Sequence, residues 1–147
     1  MTEWKLPYAE NIGHYWKTGI SSPDTWIDKA KRLITEMGGQ IEAEAFGASD
    51  GQAAFMFVFA IQGQRYKVVW PVLPTQYSTS KDIDARRQAA TLLYHDIKAK
   101  VMTASVLGAR VAFFSYLQLP DGRTAAEVAT PELSTHFPLL LRTGASQ

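Results

Sequence analysis

Six basic residues and two phenylalanines carry the chemistry this sequence offers most openly. Arg65 and Lys67 stand two apart, Arg86 and Arg87 side by side, and Lys98 and Lys100 two apart again. Residues 60–100 hold seven basic groups against Asp82, Asp84 and Asp96, a local excess of +4, while residues 1–59 run to −3 and the whole chain to +1. Such cations meet phosphates, and Phe55 and Phe57 just upstream can stack bases, at about 1–3 kcal/mol per base. A basic groove beside aromatic rings suits single-stranded nucleic acid. The same residues serve equally well as a core and a salt-bridged surface.

Catalytic patterns are missing. A hydrolytic triad needs a nucleophile, a base and an orienting acid that meet in space. Here His14, His95 and His136 are scattered, and no serine stands in a Gly-x-Ser-x-Gly turn. There is no paired-histidine metal spacing and no glycine-rich phosphate loop ending in Lys-Ser/Thr. Cysteine is absent, which removes disulfides and thiolate metal sites. Asp82 and Asp84 read as acids at a helix start, and Asp121-Gly122-Arg123-Thr124 as a turn leading into a helix. No enzyme activity, cofactor or metal is expected.

The elements that must position the basic residues are legible from period and punctuation. Ser22-Pro23-Asp24 starts a helix in which Trp26, Ile27, Ala30, Leu33, Ile34 and Met37 make one apolar face, with Gly38-Gly39 ending it. Residues 40–46 alternate Ile41, Ala43 and Ala45 with Glu42 and Glu44, and residues 47–51 read as a turn. Residues 52–61 are apolar on both faces, with Phe55, Phe57, Phe59 and Ile61 on one side. After the Gln62-Gly63 turn, residues 64–72 set Tyr66, Val68 and Trp70 against Arg65, Lys67 and Val69, and Pro71 and Pro74 stop the ladder. Residues 81–104 form a second helix, capped by Ser80 and closed by Gly108, with Arg86 inside its apolar stripe. Arg87 and Lys98 lie within about 20° of each other on its flank. Residues 109–119 are read as a short helix broken at Pro120, residues 124–129 as another, and residues 137–141 as an apolar strip docking on the core.

Certain short motifs carry a likeness. Ile97-Lys98-Ala99-Lys100, then Phe114 and Leu117, then Leu119-Pro120-Asp121-Gly122-Arg123-Thr124 and finally Pro138-Leu139-Leu140 resemble small uncharacterised proteins common in phages and prophages. The resemblance extends over residues 24–141, including the strand end Trp70-Pro71. It implies a place among phage replication and recombination functions, by association.

The expected fold is α+β, an antiparallel three-stranded sheet in α-β-β-β-α order with both long helices on one face and short helices at the C-terminus. Double-stranded-RNA-binding domains share this order, but the basic cluster they carry at the start of the last helix is missing here, where Lys81 is followed by Asp82 and Asp84. Residues 1–20 form an aromatic arm with Trp4, Tyr8, Tyr15 and Trp16, residues 21–142 one domain, and residues 143–147 a frayed tail. The arm packs on its own domain, on another subunit or on bases. The functional expectation is a non-enzymatic accessory protein that binds single-stranded DNA through Arg65, Lys67, Arg86, Arg87, Lys98, Lys100, Phe55 and Phe57. A protein–protein interaction module using the Phe55–Phe59 face or the arm is the alternative. Self-association is expected from the two-sided apolar strand at residues 52–61. With no apolar run near the roughly 20 residues that span a bilayer and no signal pattern, a cytoplasmic setting without membrane contact is expected.

Overall fold

The computed structural model describes residues 5–15, 21–76 and 82–142. Trp4, Trp16, Ser80, Lys81 and the tail at 143–147 lie outside the described residues. A short helix α1 (Ala9–Ile12) and a longer α2 (Pro23–Glu36) precede strands β1 (Gln40–Ser49), β2 (Gln52–Ile61) and β3 (Gln64–Val72). Then come α3 (Asp82–Leu107), α4 (Ala109–Ala112), α5 (Ala125–Ala129) and three short 3-10 turns. The sheet is antiparallel in the order β1-β2-β3. Among the described residues, no helix is long and apolar enough to cross a membrane.

Local chemistry starts these elements where expected. The Ser22 hydroxyl accepts the Thr25 N–H at 3.3 Å, and Pro23 fills the first helical position. Both hairpins are two-residue turns with positive φ at each centre, Asp50 and Gly51 at 53° and 75°, and Gln62 and Gly63 at 52° and 79°. That geometry matches the strand twist. β1 therefore runs three residues further than its alternation suggested, through Gly47 and Ala48 to Ser49.

The faces follow from register. Phe55 stands opposite Trp70, Phe57 opposite Val68 and Phe59 opposite Tyr66, all turned toward α2 and α3. In β1 a bulge between Ile41 and Ala43 slips the pairing by one residue, so Ile41 meets Phe59 while Glu44 meets Phe57. The expected grouping of Ile41 with Ala43 and Ala45 is thus corrected: Ile41, Glu44 and Phe46 share the helix face. Glu44 is tolerated there because its side chain stays in solvent at the edge of the face, where Lys31 of α2 reaches its carboxylate. Pro71 does not stop the ladder either. It pairs with Ala54 on the edge strand, where its missing N–H costs no bond, and β3 ends at Val72.

Part of the second face of the sheet is covered from within the chain, while Met56, Val58 and Ala60 stay half-buried and Ala43 exposed. Lys67 Nζ donates to the Leu141 carbonyl at 3.0 Å, Gln52 Nε2 donates to the Thr135 carbonyl, and Phe137 and Leu141 are buried. A Cβ built on Gly47 would stand 3.3 Å from a Leu141 methyl, so the small residue admits the strip. This C-terminal segment takes up part of the apolar surface that prompted the expectation of self-association.

Residues 109–119 depart from a single short helix. α3 runs to Leu107, three residues past its expected end, and Gly108 at φ 90° reverses the chain into α4. Phe113 then drops into the core against Phe59 and Tyr66. Beyond the Phe114–Tyr116 turn the backbone is extended, with the Gln118 N–H donating to the Arg65 carbonyl on the edge of β3 at 3.0 Å. That hydrogen bond ends the helical path before Pro120 is reached. Thr124 caps α5 by a reciprocal box with Glu127.

The described part of the arm lies on its own domain. The Ala9 N–H donates to the Pro74 carbonyl at 2.8 Å, and buried Gln88 of α3 donates to the Ala9 and His14 carbonyls at 3.0 and 3.1 Å.

Candidate interaction surfaces

The eight residues singled out by sequence do not meet on one surface. Phe55 and Phe57 sit under α2 and α3, with Phe57 at 0% exposure, on the face opposite Arg65 and Lys67. Arg65 stays in solvent and pairs with Glu42 at 2.8 Å, an exposed pair that stabilises little. Lys67 is 8% exposed beneath the C-terminal strip, and burial pushes its ammonium below the ordinary lysine range although Glu127 pulls it upward. Arg87 ties the two helix starts together, its Nε donating to the Ser21 carbonyl at 2.8 Å and its Nη1 reaching Asp84 at 3.3 Å. Arg86 resolves its place in the apolar stripe by reaching over the Phe46 ring, 4.9 Å from the centroid.

Lys100 belongs to a knot around Asp96. Its Nζ lies 2.9 Å from the Asp96 carboxylate and 5.1 Å from the centre of the Tyr116 ring, and the Tyr116 hydroxyl donates to the same carboxylate. Burial first, then the Asp96 charge and the hydrogen bond to it, hold the Tyr116 phenol well above its ordinary range. A raised phenol favours the protonated folded form. Its contribution is complete below the ordinary value of about 10 and is lost as pH climbs from there through the folded value. Tyr116→Phe is expected to cost about 1.5–3 kcal/mol at neutral pH, the range for hydrogen bonds to charged groups. It should also flatten the alkaline loss of stability. Urea midpoints at neutral pH and above the ordinary phenol range check both; an unchanged alkaline slope would remove Tyr116 as its source.

Two surfaces emerge that residue spacing did not single out. The first follows the seam between α2 and α3, where Lys29, Arg32, Leu33 and Tyr94 line a depression of ≈ 230 Å³. Lys29 Nζ lies 4.4 Å over the Trp26 ring, and Trp26 packs on Tyr94 at 5.3 Å. One turn beyond Tyr94 stands Lys98, exposed. His95 beside them is half-buried with Tyr15 stacked on it at 4.9 Å rather than free in solvent, and burial followed by the Lys98 charge keeps it below the ordinary histidine range. Among the described residues, Lys29, Arg32 and Lys98 take part in no ion pair.

The second surface is the end of the molecule where α3 turns into α4. α2 has 14 residues and α3 has 26, and since Arg87 binds Ser21 the two helices start at one end. At 1.5 Å per residue α3 is about 18 Å longer, so its last turns pass the end of α2. There Met102, Val106, Leu107, Val111 and Phe114 are 58% to 80% exposed. The signal was present in the sequence as apolar residues off the helix stripe, Met102, Val106 and Leu107.

The arrangement can bind; among the described residues no group of three or more His, Asp or Glu is placed to hold a metal ion. The chain matches no family model, no curated protein and no solved structure.

Proposed function

We propose that this chain is a non-enzymatic protein-interaction module that docks a partner on the end formed by α3 and α4. One observation carries the reading: five large apolar side chains between Met102 and Phe114 stay in water although the same segment sends Phe113 into the core. Apolar surface gathered at one end marks interaction sites, each Å² removed from water being worth about 25 cal/mol. A cytoplasmic setting belongs to this proposal. A photo-crosslinking residue at position 106, expressed in the full chain in cells, should give a discrete adduct that Phe114→Ser removes. The same residue at exposed position 36 should give none. Equal labelling from both positions, or none from 106, would count against the docking role.

A second reading keeps single-stranded nucleic acid and moves it to the seam, because Lys29, Arg32 and Lys98 are unpaired around Tyr94. A phage replication or recombination setting goes with this reading. Three phosphate contacts give a salt slope of about −2 on a log–log plot. Fluorescence polarisation of a labelled single strand at low and high salt tests it. The triple variant Lys29→Ala/Arg32→Ala/Lys98→Ala should lose the slope while Arg65→Ala keeps it. No binding at low salt ends this reading.

A further inference from the structure

Resting on the docking role of the α3–α4 end, we infer that its partner presents an acidic amphipathic helix. The argument is one of charge around apolar side chains. Between residues 97 and 120 the chain carries Lys98, Lys100 and Arg110 and no Asp or Glu. Lys100 is held by Asp96, whereas Lys98 and Arg110 are exposed and make no ion pair among the described residues. Lys98 stands one turn before Met102, and Arg110 lies between Leu107 and Val111, so one cation precedes the apolar residues along the chain and the other stands among them.

A partner helix reads such a surface with apolar anchors at i, i+4 and i+7 and acids on its flanks. Two other occupants fit less well. A second copy would bring Lys98 and Arg110 against their own duplicates, with no carboxylate from this segment to neutralise them. A lipid surface is met by clusters of about four to eight cations, and here two are unpaired.

The test uses the full chain and three probes. One is a synthetic helical peptide with leucine at the anchor positions and glutamate on the flanks, the second its lysine counterpart, and the third vesicles of mixed phosphatidylserine and phosphatidylcholine. The acidic peptide is expected to bind at least about tenfold more tightly than the basic one, with the difference shrinking at high salt. Val106→Ser/Phe114→Ser should weaken it about tenfold with an unchanged circular dichroism spectrum, and Arg110→Glu should narrow or reverse the charge preference. Equal binding of both peptides, lost in Val106→Ser/Phe114→Ser, would overturn the acidic partner and leave the docking role standing. A dimer by light scattering, or vesicle binding, that the same double variant abolishes would replace the partner by a second copy or a membrane. With no peptide bound, no dimer, no vesicle binding and no adduct from position 106, the docking role fails as well.

Discussion

Phe57→Ala is expected to lower the stability of the domain by about 3–5 kcal/mol, the cost of removing a fully buried phenylalanine. Phe57 has no exposed surface, packs on Phe59 at 6.1 Å and stands opposite Val68 in the middle strand. A single domain holds about 5–15 kcal/mol in all, so the variant should unfold at a far lower urea concentration. Any loss of oligonucleotide binding should track the unfolded fraction. Phe114→Ala, with its ring 58% exposed, should change stability by no more than about 0.5 kcal/mol. A Phe57→Ala chain as stable as its parent that failed to bind single strands would restore the base-stacking role this burial argues against.

The same residue shows how far the sequence could be read. Period two assigned Phe55, Phe57 and Phe59 to one face and Arg65 and Lys67 to another, and both groupings hold. What period cannot say is which face the helices take, because β2 is apolar on both. That choice depends on contacts across long separations: α2 and α3 cover one side, and residues 137–141 lie over part of the other through Lys67 and Leu141, 74 positions apart. The bulge after Ile41 was illegible for a related reason. One inserted residue leaves no compositional mark, yet it turns Glu44 to the helix face, where Lys31 compensates it.

Charge was legible as an excess and illegible as a surface. Arg65 meets Glu42 across 23 positions, and Arg87 meets a backbone carbonyl at Ser21 across 66. Pairing of this kind removes cations from the pool that could meet a partner; among the described residues Lys29, Arg32, Arg86, Lys98 and Arg110 are in no ion pair, and of these the local +4 pointed to Arg86 and Lys98. The exposed apolar end was not read from the sequence, although its residues stand there in plain order. Met102, Val106 and Leu107 stand off the buried stripe of α3, but their exposure follows from α3 outrunning α2, which spacing along one helix does not reveal.

Lys67→Met and Glu127→Gln are expected to cost about 3–5 kcal/mol for the more damaging of the two, and the double variant much less than their sum. Lys67 and Glu127, 8% and 5% exposed, line one cavity of ≈ 40 Å³ with Tyr116, Thr124 and Phe137. Glu127 also accepts from the Thr124 N–H and hydroxyl, so its carboxylate has partners besides the ammonium. Removing the lysine alone leaves a buried carboxylate without its cation, and removing the charge of the glutamate leaves a buried ammonium. Removing both leaves no uncompensated charge from this pair and the Leu141 carbonyl short of a donor, about 1 kcal/mol. pH separates the two groups further. Because the folded ammonium lies below its ordinary value, the burial cost is complete at neutral pH. Stability then rises as pH passes through the folded value toward the ordinary 10.4, where the unfolded chain still holds the proton. The raised phenols of Tyr66 and Tyr116 act oppositely, but only from about pH 10 upward, so the rise belongs to the range below. Urea titrations across that range should show it in the parent and not in Lys67→Met. Singles that add to the double within about 0.5 kcal/mol, or a rise that survives Lys67→Met, would show that the two groups are held independently and that another residue sets the slope.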